Sequence, residues 1–159
     1  MDYVPEHFKD APIGEVQPSA CTPALPAGFR GVLLAAPTVV RLQGDAVAVV
    51  PVCGRYSVAA AGAIGAAPLR VHVRRLADGE VVSADLTDPD PDPVDEPEVP
   101  RPADVPPVPA EARKGVFVGG CFHIDVQATV AMTLRPGDYD IAVTFGGVTS
   151  EPVRVAIEN

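Results

Sequence analysis

Proline sets the first limit on what this chain can fold into. Nine of its 19 prolines fall in residues 88–111, DPDPDPVDEPEVPRPADVPPVPAE. Proline lacks an amide hydrogen and has a fixed φ, so neither a helix interior nor a central strand survives such a run. The segment is expected to be extended, polyproline-like and exposed. Five more prolines lie in residues 1–30, which show no apolar period. Those residues read as an extended, irregular arm, either loose or docked on the rest. What remains, 31–87 and 112–159, totals 105 residues. Two units of about 50 residues would each be short of core. The expected organisation is therefore one domain over 31–159, interrupted by an acidic Pro-rich loop at 88–111.

Apolar residues make up 47% of the chain, enough for a core, and they are mostly Val and Ala. Valine fits a pleated, half-buried surface, so the composition points to short strands joined by turns. The net charge of −9 argues against nucleic acid and anionic membranes as partners. Residues 88–111 hold eight acidic side chains and one basic, Arg101, a net of −7. The low pI thus reports one solvated segment more than a charged binding face. The apolar stretches Val32–Val40 and Val58–Leu69 are too short to span a bilayer. MDYVPEHFKD lacks the basic start and apolar run of a signal peptide, so a cytoplasmic location is expected unless a leader has been cleaved.

Two turns organise the strands. In LRVHVRRLADGEVVSADL, Asp78-Gly79 separates alternating runs, a strong hairpin signal. A two-residue loop there pairs Leu76 with Val81, Arg74 with Ser83 and His72 with Asp85. It gathers Val71, Val73, Ala84 and Leu86 on one face. Near the C-terminus, Tyr139, Ile141, Val143 and Phe145 form one apolar row and Val153, Val155 and Ile157 another. A two-residue Gly146-Gly147 loop would mismatch these rows. A five-residue loop, Gly146–Ser150, pairs Val143 with Val153 and Ile141 with Val155, and is the expected register.

Leu134, Pro136, Gly137 and Tyr139 follow the pattern Leu-x-Pro-Gly-x-Tyr. This resembles the corner before the penultimate strand of fibronectin type III and related immunoglobulin-like sandwiches. Ser150 and Pro152 stand where those domains often open their last strand with Ser-x-Pro. The resemblance covers Leu134–Glu158, and the chain lacks the family's core Trp. It implies an all-β fold, an antiparallel immunoglobulin-like β-sandwich, to which the proline pattern adds a long Pro/Asp-rich inter-strand loop, a departure from the family, and an extended N-terminal arm. Such a sandwich needs about 100 residues, which the 105 available provide. The resemblance also implies that the Tyr139 hydroxyl bonds back to backbone near the corner. Ala128, Val130, Met132 and Leu134 would form the inward face of the preceding strand, while Asp138 and Asp140 would face solvent.

Candidate chemistry centres on GGCFHIDVQ. Alternation turns Phe122, Ile124 and Val126 inward and puts Cys121, His123 and Asp125 on the other face, near enough to converge on an ion from a bent strand. Thiolate with imidazole suits zinc or copper, and Met132 and His72 would complete a cupredoxin-like set. Against this stands an ordinary solvent-facing or edge strand. Of the three cysteines, Cys53 and Cys121 could be bridged, although free thiols are the expectation. Alternating prolines in DPDPDP splay the carboxylates apart, which favours a solvated spacer over a calcium loop. His72 opposite Asp85 reads as a surface ion pair. No Gly-x-Ser-x-Gly elbow and no Gly-rich phosphate loop occurs. The function expected is a non-catalytic binding or assembly module, with no cofactor, contacting a protein partner or a second copy. The alternative is a metal-binding sandwich using Cys121 and His123.

Overall fold

Alternating valines build the molecule. A computed structural model describes residues 5–44, 48–63, 68–86, 112 and 114–159. The acidic segment 88–111, and the spacer expected there, lie outside the described residues. The described residues are mostly β, in two sheets. The first runs β1 (Gly31–Ala35), β3 (Pro51–Ala59), β6 (Phe117–Asp125), all antiparallel. The second runs β2 (Val39–Arg41), β9 (Val153–Glu158), β7 (Gly137–Phe145), β4 (Arg70–Arg75), β5 (Val81–Asp85). There β2 pairs parallel to β9, and a short β8 (Val148–Thr149) pairs with β7. Three single turns of helix, α1 (Glu6–Lys9), α2 (Ala60–Ala63) and α3 (Val126–Thr129), complete the described elements.

The inner faces meet as the alternation requires. Val52, Val58, Phe122 and Ile124 come from the first sheet; Val71, Val73, Ile141, Val143, Val155 and Ile157 come from the second. Two aromatic rings lie over glycines on the neighbouring strand. Phe122 pairs with Gly54 and covers it, and Tyr56 pairs with Gly120 and covers it. A strand glycine leaves the gap such a ring fills. Tyr56 then meets Phe145 of the second sheet at a ring-centroid distance of 4.7 Å.

Both hairpins form where the sequence places them, with different registers. Between β4 and β5 the partners are Arg74 with Val81, His72 with Ser83 and Arg70 with Asp85. The loop is Leu76–Gly79, four residues, closed by the Arg75 amide donating to the Glu80 carbonyl. Leu76 donates to the Asp138 carbonyl of β7, which extends the β4–β7 ladder one residue into the loop. Gly79 adopts φ 75°, and Asp78 Oδ1 accepts from the Glu80 amide. The shift is two residues, so the predicted face survives. His72 faces Ser83 and Thr144, and Asp85 pairs with Arg70, in place of the expected His72–Asp85 pair.

The second correction is larger. Gly146-Gly147 does close a two-residue turn, with Phe145 opposite Val148 and Thr144 opposite Thr149. The Ser150 amide donates to the Val143 carbonyl and the Val143 amide to Ser150 Oγ, so Val143 faces Ser150 and not Val153. Beyond that point Ile141 pairs with Val153 and Tyr139 with Val155. The two registers differ by one residue, a bulge at Glu151-Pro152. Proline cannot donate to a ladder and is tolerated at such a bulge. The mismatch of apolar rows is thereby absorbed within the strand, not in the loop.

Tyr139 is buried, and its hydroxyl both accepts from the Arg135 amide (3.0 Å) and donates to the Arg135 carbonyl (2.9 Å). Tyr139→Phe is expected to cost about 1–3 kcal/mol, because both backbone groups lose a partner; a urea melt measures it. Val130, Met132 and Leu134 point inward as expected, but no strand carries them. Asp125 Oδ1 instead caps α3 at the Gln127 amide, and Ala128 is exposed. Gln127 then holds the irregular stretch, donating to the Met132 carbonyl and accepting from the Leu134 amide.

Asp140 departs from the solvent-facing expectation. It lies on the outer face of the second sheet, as alternation requires, but is 8% exposed. Arg74 and Arg154, its cross-strand partners, bond it at 2.7 and 2.9 Å. Arg154 first, then Arg74, hold its carboxyl below the ordinary 3.8. A depressed carboxyl contributes stability fully above its unfolded pKa and loses it as pH falls through the folded value. Asp140→Asn should therefore cost about 1 kcal/mol at neutral pH, given two half-exposed arginines. The gap between variant and parent should close below pH 3.8. Denaturation midpoints between pH 2 and 7 test this.

Candidate thiol and histidine site

The outer face of the first sheet carries the chemistry, and the N-terminal arm covers it. Residues 5–30 form α1 and a chain of turns, and they bury Phe8 and Cys21 against Ala35 and Cys53. Cys21 and Cys53 are joined by a disulfide, with a sequence separation of 32. Cys121 is the free cysteine and is buried. The pairing thus differs from both expectations, three free thiols or a Cys53–Cys121 bridge. The sequence signal missed was Cys21, set in an arm whose docking no periodicity announces.

Strand alternation does place Cys121, His123 and Asp125 on one face, but each finds a different partner. Cys121 donates from Sγ to the Val16 carbonyl at 2.9 Å. Asp125 is occupied by the Gln127 and Val50 amides. His123, 2% exposed, is held on both nitrogens. Its Nδ1 lies 2.8 Å from the Glu15 carbonyl, and its Nε2 lies 2.8 Å from Thr22 Oγ1 and 3.0 Å from Ser19 Oγ. A carbonyl only accepts, so Nδ1 carries the hydrogen and the lone pair of the neutral ring sits on Nε2. Met132 is in the main core, and His72 is between Ser83 and Thr144, so neither joins this group.

What the fold does assemble is a different trio. Cys53 lies opposite His123 in the β3–β6 register, and the arm lays Cys21 beside both. The ligand atoms of Cys21, Cys53 and His123 lie within 4.8 Å of one another, and all three residues are buried. Ser19 Oγ touches Cys21 Sγ at 3.1 Å as well as the imidazole. A mainly apolar cavity of about 590 Å³ adjoins the group, between arm residues Ile13–Val16, Asp85–Leu86 and the end of β6. No helix among the described residues is long and apolar enough to cross a membrane. The chain matches no family model, no curated protein and no solved structure.

Proposed function

We propose that this chain is a non-catalytic assembly module of immunoglobulin-like type, joining a second copy through the open edge of β6. The strand order supports the fold assignment. β1-β3-β6 against β9-β7-β4-β5 reads as strands A-B-E against G-F-C-C′ of such a sandwich. The tyrosine hydroxyl bonded across its own corner is a further mark of that architecture.

The observation that carries the assembly reading is on β6. Among the described residues the backbone groups of its outer edge are met only near one end, where the Gly14 amide donates to the His123 carbonyl; at the other end the Arg30 guanidinium lies over one face of the Phe117 ring. At the other end Val116, Phe117 and Val118 are 48, 41 and 37% exposed. An unpaired edge with apolar side chains is a template for strand addition. A second copy offers the same edge and the same side chains, so antiparallel two-fold pairing satisfies both at once. Self-repulsion of a chain carrying −9 opposes this, so the association should strengthen with salt. Sedimentation equilibrium should give a concentration-dependent dimer that Val118→Lys abolishes without lowering stability by more than about 0.5 kcal/mol. A monomer at every concentration and salt level would remove the proposal.

A further inference from the structure

We infer that Cys21, Cys53 and His123 form a binding site for a thiophilic divalent cation, zinc foremost, when the bridge between the two cysteines is reduced. Two thiolates and one imidazole are a donor set that suits zinc, and a tetrahedral ion holds two sulfurs about 3.7 Å apart. The three donor atoms already lie within 4.8 Å of one another, so small side-chain rotations suffice. A second observation points the same way. The His123 Nδ1 hydrogen is fixed on the Glu15 carbonyl, which leaves Nε2 as the lone-pair nitrogen. A backbone carbonyl on the far nitrogen is the usual support of a metal-ligating histidine. Ser19 Oγ and Thr22 Oγ1 now hydrogen-bond Nε2; the ion would displace them from its lone pair, and either hydroxyl is then at hand to supply or hold a fourth oxygen ligand.

The chemistry balances without a hidden reactant. A cellular dithiol gives two electrons and two protons to the disulfide, becomes a disulfide itself, and leaves two thiols on this chain. Metal binding then expels one proton from each Sγ. Oxidation of the site by a disulfide reverses the exchange and releases the ion. The two states exclude each other, since one pair of sulfurs cannot both bond to each other and serve as thiolates. Either state ties the arm to the sheet, because Cys21 belongs to the arm and the other two ligands to β3 and β6.

The test uses the full chain made in a reducing cytoplasm, kept under a phosphine, and titrated anaerobically with cobalt(II). Thiolate ligation is read from the near-ultraviolet charge-transfer band. One equivalent should bind with a Kd of about 1 μM or tighter, release two protons, and be displaced by zinc. The oxidised chain should bind none at these concentrations. His123→Asn should weaken binding at least about 100-fold, more than loss of a mere supporting residue. Cys121→Ser should leave the titration unchanged. The Cys21→Ser/Cys53→Ser variant should lose the band; because it also loses the staple, His123→Asn decides the matter should that variant fail to fold. Absence of the band in the reduced chain, an unaltered titration in His123→Asn, or its loss in Cys121→Ser would each overturn the assignment.

Discussion

Gly54→Ala should destabilise the protein by about 3–5 kcal/mol, as much as deleting a buried phenylalanine. The backbone at Gly54 is not in the left-handed region, so alanine brings no conformational penalty there. The added Cβ would instead overlap Phe122 Cζ and both Cε atoms, far inside van der Waals contact. Phe122 is 5% exposed and belongs to the main core. Close-packed interiors have little slack, so either the ring leaves its place or β3 and β6 separate. Adding Phe122→Leu to Gly54→Ala should restore part of the loss, since the smaller side chain vacates the overlap. Guanidinium denaturation of the two single variants and the double variant measures the coupling. Strict additivity would show that the glycine matters for some reason other than this contact.

Removing the Cys21–Cys53 bridge should have an effect of similar size. Closing a loop with a separation of 32 lowers the entropy of the unfolded chain by an amount worth about 3.7 kcal/mol. For a domain of this length that corresponds to a fall in Tm on the order of 10 °C. The Cys21→Ala/Cys53→Ala variant should melt lower by that amount in calorimetry. Its arm should also become newly sensitive to proteolysis, because it loses its covalent tie to the sheet. Phe8 is buried, and Glu15, Val16, Ser19 and Thr22 supply hydrogen bonds to Cys121 and His123. A melting point within 2–3 °C of the parent would mean that those contacts alone dock the arm.

Periodicity made the two-sheet character of the chain legible, and the corner tyrosine announced its own hydrogen bonds. Registers were less legible, for physical reasons visible at two residues. At Leu76 the loop is already wider than Asp78-Gly79 alone suggests, and a two-residue shift keeps every side chain on the same face, so alternation does not choose between the two registers. Pro152 sits in a bulge, so counting every residue as one step along the strand shifts the faces by one. The chemistry was legible in type and not in partner. His123 was found because alternation places it opposite the core. Cys21 was not, because an irregular arm carries no period, and what brings it to His123 is a tertiary contact. Asp140 shows the converse. Alternation gives its face, yet its burial comes from arginines on both neighbouring strands, one of them 66 residues away in sequence.

The same covalent bridge also decides how the molecule carries tension. A pull on the N-terminus passes along the arm to Cys21 and crosses to Cys53, so the intervening stretch, with β1 and β2, bears no load. Once the sulfurs part, the path runs through β1, held antiparallel by β3, and then through the parallel β2–β9 pair. Those strands point the same way and would be drawn in opposite senses, so their bonds, including Thr38 to Ala156 and Glu158 to Leu42, would be sheared together instead of opening singly. Yielding of both pairs would pay out a length of about 110 Å, given the separation of 32. Oxidation state would then set both the contour length of the chain under force and which strands resist it.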